Sequence, residues 1–324
     1  MSSSSSTPLV IVGSGPAGCT AAIYAARAAL KPIMVTGMAP GGQLTITTDV
    51  ENYPGFVDSV QGPELMEVMQ KQAERMGTQI VNETITSIDV DSKPFRLHSE
   101  SGHTFEAQTV IFATGASARW LGLKSEEQFQ GYGVSACATC DGFFFRDKDV
   151  AVVGGGNTAV EEALYLTHHA RKVTLIHRRD RLRAEHILQQ RLFAHEKIDV
   201  LWNHTVEDVL GIDEPRSVNG VRVRAVNGTE EKTLSVEGVF IAIGHDPATA
   251  LLRGKVDMDE QGYLLVRPGT ATTNVPGLFA AGDVCDKVYR QAVTAAGMGC
   301  MAALEAEAYL AAQNVTPAGA STSS

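Results

Sequence analysis

Cys137 and Cys140 stand two residues apart, and an acid follows them directly in Cys137-Ala138-Thr139-Cys140-Asp141-Gly142. Thiols at that spacing can close a small disulfide ring and open it again. The thiolate is the reactive form, and the surrounding field sets its pKa. A carboxyl group beside Cys140 can carry the proton that a leaving thiolate takes up. Two other uses of such a pair compete with this one. A zinc site needs a second close pair of ligands, but Cys19, Cys285 and Cys300 are single and far apart. A structural disulfide across so short a loop stabilises little, because loop-closure entropy grows with loop length. The motif reads as a redox dithiol, with Cys137, Cys140 and Asp141 as catalytic residues and no metal.

Such a pair needs a source of electrons, and the elements around it are built to supply one. The apolar run Leu9-Val10-Ile11-Val12 is strand-like and leads into Gly13-Ser14-Gly15-Pro16-Ala17-Gly18. An alanine-rich helical stretch follows, then a second strand, Pro32-Ile33-Met34-Val35. Strand, G-x-G-x-x-G, helix and strand form the context that a dinucleotide fingerprint requires. The first glycine allows the tight turn, the second lets backbone approach a pyrophosphate, and the third lets helix and strand pack closely. Where an acid commonly holds a ribose, Thr36 stands, followed by Gly37.

The frame recurs in Val150-Ala151-Val152-Val153 and Gly154-Gly155-Gly156-Asn157-Thr158-Ala159. Each copy later closes on an apolar strand ending in glycine: Ala113-Thr114-Gly115 in the first, Ile243-Gly244 in the second. This is an internal repeat of a whole nucleotide-binding domain. The copies differ after their second strands. In copy two that strand runs into His177-Arg178-Arg179-Asp180-Arg181-Leu182-Arg183. A cluster of guanidinium groups suits the 2′-phosphate of NADPH, which Arg binds bidentately. Copy one then falls to the intermediary between a hydride donor and a dithiol, for which a flavin is usual. The turns Gly41-Gly42-Gln43-Leu44 and Glu51-Asn52-Tyr53-Pro54-Gly55 follow its second strand and can approach a flavin, although Gly, Asn and Pro also mark ordinary turns.

No third copy follows Gly244. A last strand ends in Gly282-Asp283, and a small-residue helix runs from Gln291. These complete copy one, so copy two is inserted into it. The fold class expected is α/β with two Rossmann-like dinucleotide-binding domains. The first spans 9–118 and 247–316, and the second, carrying the dithiol, spans 119–246; 1–8 and 317–324 are expected to be disordered tails. The 324 residues, 44% of them hydrophobic, suffice for two such domains. A net charge of -10 argues against nucleic acid or an anionic membrane surface as the partner. Five cysteines do not form a secreted disulfide framework, and the serine-rich start is a poor signal peptide, so a cytoplasmic protein is expected.

Together these motifs resemble the low-molecular-weight thioredoxin reductases of bacteria and plants. The likeness rests on Gly13 to Gly18, Gly41 to Leu44, Ala113 to Gly115, Cys137 to Gly142, Gly154 to Glu162, His177 to Arg179 and Gly282-Asp283, and it covers all but the tails. It implies a homodimer that passes electrons from NADPH through FAD to Cys137–Cys140 and on to thioredoxin. The implied FAD site comprises Gly13, Ser14, Gly15, Pro16, Ala17, Thr36, Gly37, Gly41, Gly42, Gln43, Leu44, Asn52, Ala113, Thr114, Gly115, Gly282, Asp283, Arg290, Gln291 and Ala292. Asp283 would meet the ribityl chain, and Arg290, Gln291 and Ala292 the flavin ring. The implied NADPH site comprises Gly154, Gly156, Asn157, Thr158, His177, Arg178, Arg179, Arg183, Ile243 and Gly244. Cys137 would attack the partner disulfide, Cys140 would lie nearest the flavin, and Asp141 would serve as acid and base. Since nicotinamide and dithiol share one domain and must both meet one flavin, that domain is expected to swing. Arg181, an added basic residue in the phosphate cluster, departs from the family pattern. Three alternatives keep the fold: a flavin dithiol oxidase and a ferredoxin-fed reductase, against which the Arg178, Arg179 and Arg183 cluster speaks, and a nucleotide-binding redox sensor without turnover, against which the intact Cys pair with its adjacent acid speaks.

Overall fold

The computed structural model describes residues 4–46 and 49–314. Its contacts divide the chain into two compact units, residues 1–117 with 246–324 and residues 118–245.

Following the chain, the first unit opens with β1 (Ser4–Val12), α1 (Pro16–Arg27), β2 (Ile33–Val35), α2 (Gly62–Met76), β3 (Gln79–Val81), β4 (Ile85–Asp89), β5 (Phe95–Ser99) and β6 (Thr104–Phe112). The second unit carries β7 (Val134–Ser135), α3 (Ala138–Asp141), β8 (Asp149–Gly154), α4 (Asn157–Leu166), β9 (Lys172–His177), α5 (His186–Phe193), β10 (Ile198–Trp202) and a meander β11 (His204–Asp213), β12 (Arg216–Ala225), β13 (Glu231–Leu234), then β14 (Gly238–Ala242). The chain returns to the first unit for β15 (Leu278–Ala280) and α6 (Ala292–Asn314).

In the first unit the strands lie in the order β3-β2-β1-β6-β5-β4, with β15 also on β6. Strands β3, β2, β1, β6 and β15 are mutually parallel. A parallel sheet is covered on both faces, so its strands read as continuous apolar runs. That explains Leu9-Val10-Ile11-Val12: Leu9 and Ile11 pack with α1, while Val10 and Val12 pack with β5 and β6 residues such as Phe95 and Phe112. In the second unit the parallel order is β7-β14-β8-β9-β10, and β11-β12-β13 form a separate antiparallel sheet. Val150 and Val152 pack against α4, and Ala151 and Val153 against the meander's Val209 and Val221.

Residues 4–8 are not the tail expected from composition. Ser4 to Thr7 pair in parallel with Thr104 to Ala107. The Ser5 hydroxyl lies 2.9 Å from His103 Nε2, and the Thr7 hydroxyl donates to the Lys31 carbonyl at 2.9 Å. A ladder is made by backbone groups, so a serine run beside an existing strand extends it without apolar side chains. Residues 1–3 and the expected tail 317–324 lie outside the described residues. Among the described residues, no helix is long and apolar enough to cross a membrane.

Candidate active site

The short strand β7 holds the dithiol in place. Its Ser135 pairs with Phe240 of β14 and is 7% exposed. The Ser135 hydroxyl oxygen accepts the Cys137 N–H at 3.0 Å. Cys137 caps α3, its sulfur accepting the Cys140 N–H at 3.2 Å, so it sits where the helical turn's positive end favours a thiolate. Ala138 is fully buried in the core shared by β8 and α4, which pins the turn from below. Cys137 and Cys140 are joined, with an S–S distance of 2.06 Å and Cα atoms 5.3 Å apart. Burial pushes the Asp141 carboxyl above its ordinary range, opposed by a hydrogen bond from Ser135. A raised carboxyl pKa suits a group that must hold a proton and give it to a sulfur. Phe143 and Phe144, directly beyond, are 50% and 38% exposed.

The first glycine loop caps α1. Gly13 has φ 107°, and a Cβ there would stand 2.3 Å from the Ala113 carbonyl oxygen. A Cβ on Gly18 would come within 1.9 Å of the Gly13 oxygen. At Gly15 nothing lies within 4 Å. That open space adjoins the α1 N-terminus, which begins with Pro16, has no acidic residue in its first turn and no side-chain cap. The loop therefore fits an anion cradle, and among the described residues none stands within 4 Å of where a Cβ on Gly15 would be. Ser14 and Gly41 are bonded, N–H to hydroxyl at 3.0 Å, and the Gly41-Gly42 turn, both residues at positive φ, lies over Gly15. Gly282 packs on Ala17, since a Cβ on it would be 3.0 Å from the Ala17 Cβ. Gly13 to Ala17, Gly41-Gly42, Ala113 and Gly282 thus meet around one helix N-terminus.

Asp283 follows there, its pKa raised to about 6 by burial and by Asp286, with Arg290 opposing. Arg290 sits at φ 47°, and its side chain hydrogen-bonds Tyr263. Asn52 donates to Gln291 Oε1 at 3.4 Å, ahead of Ala292 at the start of α6. Gln43 is exposed and Leu44 half-buried in the turn Gly42–Ile46. Thr114 faces elsewhere, donating to the Ala248 carbonyl at 2.8 Å, while Gly115 O accepts the Ala248 N–H. Thr36 is 4% exposed, its hydroxyl 3.3 Å from Asn82 Oδ1 and 3.2 Å from the Gly37 carbonyl.

The second loop repeats the arrangement. Gly154 has φ 158° and a Cβ there would be 2.4 Å from the Ala242 oxygen and 2.6 Å from the Ala159 Cβ. A Cβ on Gly156, the cap of α4, would meet nothing within 4 Å, and the first turn of α4 also lacks an acid. Asn157 accepts the Glu185 N–H at 2.9 Å, and the Arg183 N–H donates to Gly155 O at 2.7 Å, so the basic loop is tied to the glycine loop. Thr158 lies in that first turn, and Gly244, at φ 113°, follows Ile243 beyond β14. Arg178, Arg179, Arg181 and Arg183 are exposed. His177 is not presented with them. It is 6% exposed, its ring lies against Gly155, and Nε2 is 3.0 Å from the Arg181 carbonyl. Burial holds its pKa below the usual histidine range. It braces the loop that carries the arginines.

A family profile, pyridine nucleotide-disulphide oxidoreductase, matches residues 7–299. Thioredoxin reductase from Rickettsia conorii is 59% identical over 304 residues, covering 94% of this chain and 98% of the relative. The Escherichia coli O157:H7 thioredoxin reductase is 52% identical over 318 residues, covering 96% and 98%. The structure of thioredoxin reductase from Giardia duodenalis matches with a TM-score of 0.91 at 42% identity, covering 94% and 99%. The chain belongs to the thioredoxin reductase family. Thioredoxin reductases are α/β proteins with two Rossmann-like domains and use FAD and NADPH, which gives each glycine loop a ligand of the right chemistry. In this thioredoxin reductase chain several site-building residues were not visible from motifs. Asn82 holds Thr36, Tyr263 holds Arg290, and Glu185 holds Asn157. Gly299 lets α6 approach α1, since a Cβ on it would be 2.1 Å from the Ala17 carbonyl. Each is a distant partner of a motif residue, and only tertiary contact reveals it.

Proposed function

We propose that the protein reduces the disulfide of thioredoxin with NADPH, and that Cys137 and Cys140 are the thiols that do it. The observation that carries this is a closed Cys137–Cys140 pair in the same unit as a glycine loop tied to exposed arginines. Bound FAD supplies a two-electron link between a hydride donor and a disulfide. The loop Gly13 to Ala17, with Thr36-Gly37, Gly41 to Leu44, Asn52, Ala113 to Gly115, Gly282-Asp283 and Arg290 to Ala292, holds it. Gly154, Gly156, Asn157, Thr158, Ile243 and Gly244 hold NADPH, with Arg178, Arg179 and Arg183 on its 2′-phosphate; His177 acts through Arg181.

Two electrons open the Cys137–Cys140 bond. The Cys137 thiolate, favoured at the α3 cap, attacks one sulfur of the partner disulfide, and the partner's other sulfur leaves with a proton from Asp141. Cys140 then gives its proton to Asp141 and attacks Cys137 in the mixed disulfide, closing the ring, and the second partner sulfur leaves with that proton. The partner gains two electrons and two protons. Exposed Phe143 and Phe144 beside the pair suit a protein partner. Because the dithiol and the NADPH loop share one unit and the FAD loop lies in the other, the 118–245 unit swings between turnover steps; a crosslink fixing the two units should stop turnover. The protein works as a cytoplasmic homodimer and uses neither nucleic acid nor membrane, in keeping with its net charge of -10. Native protein should consume NADPH steadily only when oxidised thioredoxin is present, and Cys137→Ser and Cys140→Ser should not. Equal turnover with ferredoxin, or with molecular oxygen alone, would overturn the assignment.

A further inference from the structure

The rings beyond the dithiol do not end at Phe144. The Phe143 and Phe144 rings meet edge to face, 6.1 Å apart at 77°. The His169 ring also meets Phe143 edge to face, at 6.1 Å and 77°. Tyr165 lies 5.6 Å from His169, and His168 lies 5.8 Å from Tyr165. The Arg146 guanidinium stands 5.0 Å from the centre of the Phe143 ring. These six groups form one strip on the 118–245 unit.

The strip is joined to the dithiol through Gly142. A Cβ on Gly142 would be 3.3 Å from Tyr165 Cε1 and 3.5 Å from His169 Cδ2. The two rings therefore pack on the residue that follows Asp141. The backbone fixes them as well. The Asp147 N–H donates to the His169 carbonyl at 3.0 Å, and the Arg171 N–H to the Lys148 carbonyl at 2.9 Å. Lys197 Nζ donates to the Thr167 and Ala170 carbonyls at 2.8 and 3.0 Å, holding the turn after α4 in which His168 and His169 sit. A half-exposed phenylalanine in a free loop would sample several rotamers. Here the Phe144 and His169 rings and the Arg146 guanidinium all stand against it and restrict it.

We propose that His169, backed by Tyr165, is a positioning residue for the protein substrate: it holds the Phe143 ring in the orientation that an incoming disulfide protein meets. The occupant of the strip is thioredoxin, and the inference rests on that reading of function. It is argued from continuity, since the strip starts at Phe143, three residues after Cys140, and packs on Gly142 between them. A partner with an apolar collar around its disulfide and a carboxylate on the rim matches the Phe143–Phe144 edge and Arg146.

The test is rapid mixing of NADPH-reduced holoenzyme with oxidised thioredoxin, following return of the oxidised flavin spectrum. His169→Ala removes the ring that stands against Phe143, together with its contact to Tyr165, and should lower the second-order reoxidation rate about three- to tenfold. The loss should appear as a raised KM for thioredoxin with little change in kcat. His169→Phe restores a ring and should return the rate to within about twofold of native. Flavin bleaching by NADPH should be unchanged in both variants. A native rate in His169→Ala, or a loss that His169→Phe does not recover, would overturn the proposal. Slower bleaching in step with slower reoxidation would also overturn it, because the residue would then be merely structural. If native enzyme itself is not reoxidised by thioredoxin, the functional reading fails, and the strip's assignment falls with it.

Discussion

Gly15 and Gly18 share one fingerprint, yet alanine at each should fail in a different assay. A Cβ on Gly18 would stand 1.9 Å from the Gly13 carbonyl oxygen, which is backbone and cannot rotate away. Helix propensity alone would favour Gly18→Ala by about 1 kcal/mol. Relieving that clash means moving α1 away from the Gly13 turn, at the upper end of the roughly 1–3 kcal/mol that overpacking costs. The net expectation is a loss of about 2 kcal/mol, or roughly 4–8 °C in the melting temperature of the apoprotein. At Gly15 the same methyl meets nothing within 4 Å, and φ is an ordinary -70°. Gly15→Ala apoprotein should melt within about 4 °C of native, since Ala in place of Gly at a helix N-cap costs on the order of 1 kcal/mol or less. Its methyl would occupy the space left for the pyrophosphate, however. Losing one charge-assisted hydrogen bond there costs about 1.5–3 kcal/mol, or roughly 10- to 150-fold in FAD affinity. Differential scanning fluorimetry of apoprotein and flavin titration of the refilled protein read the two effects separately. A Gly15→Ala protein that binds FAD like native would refute the reasoning, and so would a Gly18→Ala apoprotein that melts like native.

Further consequences follow from the charges. Asp283 titrates at about 6 in the folded apoprotein against an ordinary 3.8, so its contribution to stability is full below about pH 4 and lost as pH rises through 6. Asp283→Asn apoprotein should then be more stable than native at pH 7.5, by on the order of 1–3 kcal/mol, with the gap closing toward pH 4 in urea melts. Replacing Arg178 and Arg179 together by Ala should raise the KM for NADPH about 10- to 150-fold while leaving that for NADH nearly unchanged, because the charge-assisted bonding of this exposed pair to the 2′-phosphate is worth about 1.5–3 kcal/mol in total. Cys19 and Cys285, their thiols pushed up to about 12 by burial, should stay unalkylated by iodoacetamide at pH 8 in the folded protein, as peptide mapping would record.

The parts of the site that were legible are those in which a residue type answers a local demand. Gly13 and Gly18 are glycine because carbonyl oxygens stand where a Cβ would go, and that demand repeats wherever this turn is built. The Cys137–Cys140 spacing is set within one helical turn. The parts that were illegible depend on contacts between distant residues. Ser4 to Thr7 read as a tail because hydroxyl-rich composition hides backbone pairing with Thr104 to Ala107. His177 read as an NADPH-site residue because it precedes arginines, and the missing Cβ of Gly155 lets its ring turn inward. Thr36 read as a weak substitute for a ribose-binding acid, whereas its hydroxyl is held by Asn82 and the Gly37 carbonyl. The ring strip had no signature either, since Phe143 and His169 lie far apart in sequence and meet only after α4 packs on α3.

The most direct test of the central claim is an anaerobic rapid-scan experiment on flavin-loaded protein. NADPH should bleach the oxidised flavin band, and oxidised thioredoxin added next should restore it within the time of turnover. The Cys137→Ser protein should bleach but fail to recover. Recovery in Cys137→Ser at the native rate would contradict the account, because the electrons would then reach thioredoxin without the Cys137–Cys140 pair.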